Sequence, residues 1–372
     1  MSYYFNVLLA LLLLLPSVTF AEEPISAIQE LGRHLFFDTR LSVKENRSCA
    51  LCHSPTHGWS NTFTKTIDIN GNHSTLNTPS LLNVSLFTHF SQADPTRKII
   101  DTAITNPMFS THPIEMGITP KKLISRIAQD SCYPSMFERS FGDKNISVER
   151  IVRALKQYLT LITSQESRYL RYRDGDITAL TKQEQHGLQL FYSDKLNCSA
   201  CHGGPLLNQP VNTLSHYQNT GLYGVPNKNG MLSYPIGEPG VRQYTKRWED
   251  DGKFRIPSLI NVSNTGPWGH DGSFQSLESV IESYARGGRK LSYGPNKGDG
   301  YHHPAKSTLI NGFNITTNEK KALIAFLRSL SIDQDWTRYP FNSPFGSSVS
   351  TKNEQNSTPS CLHQQQSETI LR

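Results

Sequence analysis

Two short runs, Cys49-Ala-Leu-Cys-His53 and Cys198-Ser-Ala-Cys-His202, constrain what this 372-residue chain can become more than any other feature. In each, two thiols are separated by two residues and an imidazole follows directly behind the second. That spacing lets each thiol add to one vinyl group of a porphyrin while the adjoining histidine meets the iron from one face. The chain is therefore expected to carry two covalent c-type haems through Cys49, Cys52, Cys198 and Cys201, with His53 and His202 as iron ligands. A cysteine pair can also be half of a zinc site, but that needs further Cys or His pairs at ligand spacing, and the sequence has none.

The surroundings of the two boxes repeat as well. Gly32-Arg-His-Leu-Phe-Phe37 precedes the first and Gly187-Leu-Gln-Leu-Phe-Tyr192 the second, while Pro79-Ser-Leu-Leu-Asn-Val-Ser85 and Pro257-Ser-Leu-Ile-Asn-Val-Ser263 follow them. Such self-similarity marks a duplicated unit. The expected fold is mainly α, as two fused cytochrome c-like domains with one covalent haem each and long ordered loops. Thr181-Lys-Gln-Glu184 and Thr316-Thr-Asn-Glu319 have the form of helix-opening capping boxes. Ser147 to Ile162 carries apolar residues at helical spacing, as does the segment holding Leu323, Ile324, Leu327 and Leu330. Glycine- and proline-rich stretches, 221–240 and 287–304, read as loops, and strand signals are few and short. The expected domains are 22–167 and 181–342, joined by a charged linker at 168–180.

At the start, Val7 to Leu15 is almost wholly apolar and leads to Thr19-Phe-Ala21, as in a signal peptide (1–21) cleaved after Ala21. Export agrees with covalent haem, which is attached outside the cytoplasm, and places the mature protein in the periplasm of a two-membrane bacterium. No later stretch has the length of a membrane span. From Ser343 the composition turns to Ser, Asn, Gln and Thr, the signature of a disordered tail (343–372). Of the six cysteines, Cys132 and Cys361 are left by the haem boxes. An oxidising compartment permits a bridge between them, but the tail around Cys361 offers little to hold it in place. The net charge of +6, from 37 basic and 31 acidic residues, includes no basic run, so nucleic acid is not an expected partner.

With one axial position taken by each box histidine, the other decides the chemistry. Tyr284 follows Pro257 by the same interval that separates Asn106 from Pro79. A phenol oxygen is a strong ligand for ferric iron, whereas neither Asn106 nor Pro107 is. One haem is thus expected to be closed by Tyr284 and the other left open.

The GxxLF segments, both CxxCH boxes, His112-Pro-Ile-Glu-Met116, Trp268-Gly-His-Asp-Gly272 and the run into Tyr284 resemble the bacterial di-haem cytochrome c peroxidase and MauG superfamily over residues 28–335. Tyr284 stands where ordinary di-haem peroxidases have a Met and MauG-type enzymes a Tyr. Gln218-Asn-Thr-Gly-Leu-Tyr223, Tyr284-Ala-Arg-Gly-Gly288 and Ile324-Ala-Phe-Leu-Arg-Ser-Leu330 are similar to the MbnH branch, which accompanies methanobactin or copper-related partner proteins. The resemblance implies that Glu115 is the catalytic acid-base over the open haem and that Pro107 lines the same pocket. It also implies a calcium ion between the haems, held by the Asn77 side chain and the carbonyls of Thr265 and Pro267. His73 lies in the loop where some members carry a removable iron ligand, but in the MbnH-like pattern it is not one. His57, His112 and His270 read as hydrogen-bonding or surface histidines. Where the family usually places an inter-haem Trp, this chain has Gln92, with Phe90 nearby, and Gln cannot relay an electron.

The expected activity is an oxidoreductase that uses hydrogen peroxide to form high-valent haem iron and oxidises a residue, a tryptophan, of a partner protein. One alternative is a cytochrome c peroxidase drawing electrons from a small cytochrome or cupredoxin, and another is an electron-transfer protein without peroxide chemistry.

Overall fold

The structure, a computed structural model, describes residues 25–345 apart from 165, 212 and 213. The expected signal peptide and nearly all of the expected tail lie outside the described residues. The longer helices run Ala27–Phe37, Ile100–Phe109, Pro120–Ala128, Tyr133–Phe141, Val148–Leu159, Lys182–Tyr192, Leu277–Arg286 and Thr317–Ser329. Among the described residues, strand is limited to three antiparallel pairs of two-residue segments, all in the second half: Tyr217–Gln218 with Phe254–Arg255, Val225–Pro226 with Leu232–Ser233, and Lys290–Leu291 with Gly298–Asp299. The fold is mainly helical, as expected.

Helix starts follow local chemistry. Thr181 and Thr316 cap their helices while Glu184 and Glu319 reach back to the cap backbone, and Ser26 with Gln29 forms a third such box at the first helix. Each cap satisfies amide protons that the first turn leaves without a partner, worth about 1 kcal/mol. Ser147 caps Val148–Leu159 by accepting from the Arg150 amide, with no side chain reaching back.

The duplication is exact in its packing. Ala27–Phe37 lies across Val148–Leu159, and Lys182–Tyr192 lies across Thr317–Ser329. At both crossings a glycine allows backbone contact. A Cβ on Gly32 would stand 2.0 Å from the Ala154 carbonyl oxygen, and one on Gly187 would stand 2.0 Å from that of Ala322. The glycine of each GxxLF segment is thus the contact point of its domain's helix pair. Asn83 and Asn261 likewise match, both in the left-handed region at φ 60° and 63°, and their backbone amides donate to the carbonyls of Ile162 and Leu330 just past the closing helices.

One continuous hydrophobic cluster runs from Leu31 through both halves to Phe341. Across the seam, the Asn77 amide donates to His270 O (2.7 Å) and the Arg255 amide to Gln92 O (2.8 Å). The Tyr217 hydroxyl donates to the carbonyls of Ser91 and Asp94, and Lys65 pairs with Glu238. The charged stretch read as a linker begins with a helix, Arg168–Arg173, whose Tyr169 and Leu170 are buried, Tyr169 edge-on to Phe326. After Ser329 the chain returns to the first half as a strap. Trp336 and Phe341 pack on Trp59 at 5.5 and 5.9 Å, and the Arg33 guanidinium donates to the carbonyl and side chain of Asn342. Cys132 is disulfide-bonded, against the expectation that little would hold such a bridge in place. Cys361 lies outside the described residues. No helix among the described residues is long and apolar enough to cross a membrane.

Candidate active site

Each CxxCH box folds into a single turn. Cys49–Cys52 is α-helical and Cys198–Ala200 a 3-10 turn, and the amides of His53 and His202 donate to the carbonyls of Cys49 (2.9 Å) and Cys198 (3.0 Å). That turn presents both thiols and the imidazole together. Each imidazole is then fixed through Nδ1, which donates to Trp59 O at 3.1 Å in the first box and to Leu207 O at 2.9 Å in the second. Trp59 and Leu207 both hold positive φ, 62° and 51°, a conformation that costs a bulky residue about 1–3 kcal/mol. The residue ahead of each is pinned by a serine of the repeat: Ser80 Oγ donates to Gly58 O (2.6 Å) and Ser258 Oγ to Leu206 O (2.8 Å). The Pro-Ser motif behind each box therefore sets the carbonyl that orients the histidine.

These residues fit a covalent haem. The four thiols are free, and all six box residues are half-buried, as the walls of a recess are. The carbonyls of Pro79 and Pro257 also lie within hydrogen-bonding range of the two rings, so each imidazole is held by backbone oxygens, the arrangement that fixes the tautomer of a ligating histidine. Burial pushes the His53 pKa down to about 4 and lowers that of His202, so both imidazoles are neutral and their nitrogens available. Burial pushes the thiols of Cys49 and Cys198 up to about 12 and Cys52 to about 11, and raises Cys201. Among the described residues no group of three or more His, Cys, Asp and Glu side chains gathers as a metal cage.

The pockets differ in what the chain brings to them. In the first, Met116 N donates to Pro107 O (3.0 Å) and Ile118 N to Met108 O (3.2 Å), which ties the Glu115 loop to the end of helix Ile100–Phe109. Glu115 lies close enough to Cys52 for its charge to raise that thiol's pKa. Its carboxylate reaches solvent, yet it sits in a recess crowded enough that desolvation raises its own pKa, against the opposing charges of Arg97 and Arg47. Neither arginine was singled out in the sequence, since no spacing connects them to Glu115. In the second pocket the side chain is Tyr284, on helix Leu277–Arg286, whose Leu277 and Ile281 anchor it to the core. Burial raises the Tyr284 hydroxyl pKa, and the nearby thiols of Cys201 and Cys198 raise it further. At the matching place in the first half stand Asn106 and Pro107, inside helix Ile100–Phe109.

Other expected residues are placed as follows. His73 is exposed and pairs with Ile67 in an isolated bridge. The Asn77 amide NH2 donates to Phe63 O (2.9 Å) and Thr64 O (3.2 Å), which turns its Oδ1 the other way. Among the described residues nothing donates to that oxygen or to the Thr265 and Pro267 carbonyls, so three oxygens of the kind Ca²⁺ prefers remain unengaged. Gln92 sits at the seam, its Nε2 donating to Asn77 O (2.9 Å) and its buried Oε1 without a partner. His270 stacks on Phe254 at 3.7 Å, while His57 and His112 are exposed.

Residues 26–178 match the family model described as di-haem cytochrome c peroxidase. A crystal structure of a MauG-like protein associated with microbial copper homeostasis superposes with a TM-score of 0.80 at 34% identity, covering 87% of this chain and 95% of that one. The methylamine utilization protein MauG of Methylophilus methylotrophus is 29% identical over 301 residues, 81% of each chain. The cytochrome-c peroxidase IdrP2 of Pseudomonas sp. (strain SCT) is 28% identical over 330 residues, 82% of each.

Proposed function

Given that this chain belongs to the di-haem cytochrome c peroxidase and MauG family, and is therefore a peroxide-using oxidoreductase with two c-type haems, we propose that it oxidises a tryptophan of a partner protein. The observation that carries this reading is the division between the pockets: a carboxylate at the first box and a phenol at the second. When bound, the haems supply iron that accepts two oxidising equivalents from peroxide. Everything else is done by the chain. His53 and His202 would hold iron from rings oriented by their carbonyl contacts. Pro107 supplies a wall with no side-chain donor of its own, which keeps the first pocket open to peroxide.

Glu115 would take a proton from one oxygen of peroxide and return it to the other, which leaves as water. Tyr284 closes the second pocket with a hard, anionic oxygen, which stabilises oxidised over reduced metal. That choice suits storage of oxidising power rather than entry of electrons. The likeness to a MauG-like protein associated with copper homeostasis supports a protein partner, and the apolar leader 1–21 supports a periplasmic setting. The three unengaged oxygens of Asn77, Thr265 and Pro267 support a bound calcium ion between the halves. Metal analysis of purified protein should find one equivalent of calcium that a chelator removes, and its absence from protein prepared without chelator would refute the site.

A second reading, peroxide reduction with electrons from a small cytochrome or cupredoxin, is favoured by Gln92, which cannot pass an electron between the pockets. The ferric protein should show one high-spin and one low-spin haem by optical and EPR spectroscopy. Peroxide should then produce an oxidised spectrum that outlasts mixing and turns over poorly with reduced cytochrome c. Fast turnover with cytochrome and no lasting oxidised state would favour the peroxidase; two six-coordinate haems inert to peroxide would leave only electron transfer.

A further inference from the structure

We propose that Trp59 and Trp336 form an electron relay that serves the His53 pocket from the side of its histidine and ends at the protein surface. The proposal rests on the reading that the His53 pocket is the one that meets peroxide. Its starting point is an asymmetry between the repeats. Trp59 and Leu207 do the same backbone work, each offering its carbonyl to a box histidine from positive φ. A leucine suffices for that work in the second half, so the indole of Trp59 is not required by it.

The indole is also costly. Trp59 is fully buried, and its Nε1 has no hydrogen-bond partner, a deficit worth about 1–3 kcal/mol. Backbone strain and an unmade hydrogen bond therefore fall on one residue, directly beside the imidazole. Such penalties persist where a site gains from them.

Trp59 leads outward. The Trp336 ring lies edge-on at 5.5 Å, with Tyr158 at 6.4 Å and Phe36 and Phe341 filling the remaining sides. Trp336 keeps an 8% exposed edge and belongs to the strap, where Asp335, Thr337, Arg338 and Tyr339 are all exposed. Indole is among the most easily oxidised side chains. Trp59 would supply one electron toward the His53 site, one of the two that peroxide takes up on becoming water. Because the Nε1 proton has no acceptor, it stays, and the radical cation remains a strong oxidant that takes an electron from Trp336.

At the solvent edge Trp336 releases its proton to water. It is refilled by an external one-electron donor such as a thiol or a reduced redox protein. Without a donor, the second oxidising equivalent and water convert it to hydroxytryptophan. The net reaction is then peroxide plus tryptophan giving hydroxytryptophan plus water. With Gln92 at the seam, this pair offers the first pocket an aromatic route of its own.

The test uses the haem-loaded full chain, treated with excess peroxide without reductant, then read by EPR and by peptide mass spectrometry. Oxidised indole should concentrate on Trp336, with Trp248 and Trp268 as internal controls. Trp59→Phe should lower Trp336 oxidation about tenfold or more relative to oxidation of Trp248 and Trp268 in the same sample, read as a difference between variants. Trp336→Phe should move a longer-lived radical signal to Trp59. Equal Trp336 oxidation in Trp59→Phe, or a haem response to peroxide with Trp336 unmodified, would overturn the relay alone. A haem spectrum unmoved by peroxide would overturn both the relay and the function on which it rests.

Discussion

Glu115→Gln will lower the rate at which the haem-loaded protein consumes peroxide by about 10²–10⁴-fold, the usual worth of a placed acid-base group, while the ferric spectrum stays as in the wild type. The glutamine keeps the size and polarity of the side chain but cannot take a proton from one peroxide oxygen and give it to the other. The pH profile separates this role from a structural one. Desolvation in the recess raises the Glu115 pKa, with Arg97 and Arg47 pulling against it. Glu115 must be ionised to accept the first proton, so activity in the wild type rises as pH climbs through a value above the ordinary carboxylate range. Below that value the carboxyl is protonated and the rate falls. In Glu115→Gln this acid limb should vanish, leaving a low and flat profile. A variant with wild-type rate, or one that keeps the limb, would remove Glu115 from the mechanism.

The parts of this molecule that were readable in the sequence are those imposed by covalent chemistry and by contacts close along the chain. The haem boxes need their spacing, the capping boxes at Thr181 and Thr316 satisfy amides within three residues, and Gly32 and Gly187 recur because each must let a helix backbone approach another. The duplication then carried the argument across long distances, since it asked what stands at Asn106 in place of Tyr284. Where the repeats diverge, or where distant segments meet, the pattern was silent. Trp59 and Trp336 touch only because the strap after Ser329 crosses back to the first half. Arg97 and Arg47 reach Glu115 from separate loops. The stretch 168–180 looked like a linker because its charges dominate, yet Tyr169 and Leu170 are enough to seat a short helix on Phe326. Positive φ at Trp59 and Leu207 had no signal either, because neither is a glycine, and the strain is set by the histidine that each carbonyl must meet.

The seam explains why the two pockets must be considered together. Asn77 joins the first half to the second through His270, and Gln92 joins Asn77 to the strand that ends at Arg255. Asn77, which is expected to hold calcium, Gln92, and the second-half residues His270 and Arg255 are thus one hydrogen-bonded unit. Replacing Gln92 alters more than electron transfer: its Nε2 contact to Asn77 is lost as well. Any measurement of charge sharing between the pockets has to be read with that coupling in view.

Tyr284→Phe is expected to abolish the low-spin ferric signal, because phenyl lacks the one atom that closes the second pocket. Shape is preserved, so the helix Leu277–Arg286 should still seat on Leu277 and Ile281, and circular dichroism should be unchanged. In the protein without metal, burial and the neighbouring thiols keep the Tyr284 proton in place. As an iron ligand Tyr284 would give up that proton and offer an anionic oxygen. Losing it should raise the reduction potential of the second haem and shorten the lifetime of the peroxide-oxidised state about tenfold or more. Tyr284→Met gives the complementary result: a soft thioether can restore a low-spin haem while still favouring reduced iron, so the spectrum would recover but the stored oxidising power would not. If Tyr284→Phe kept both the low-spin signal and the lifetime, another residue would be the ligand and the contrast between the two pockets would lose its chemical basis. If Tyr284→Met behaved like the wild type in both measurements, the phenol would be dispensable and the peroxidase reading would gain.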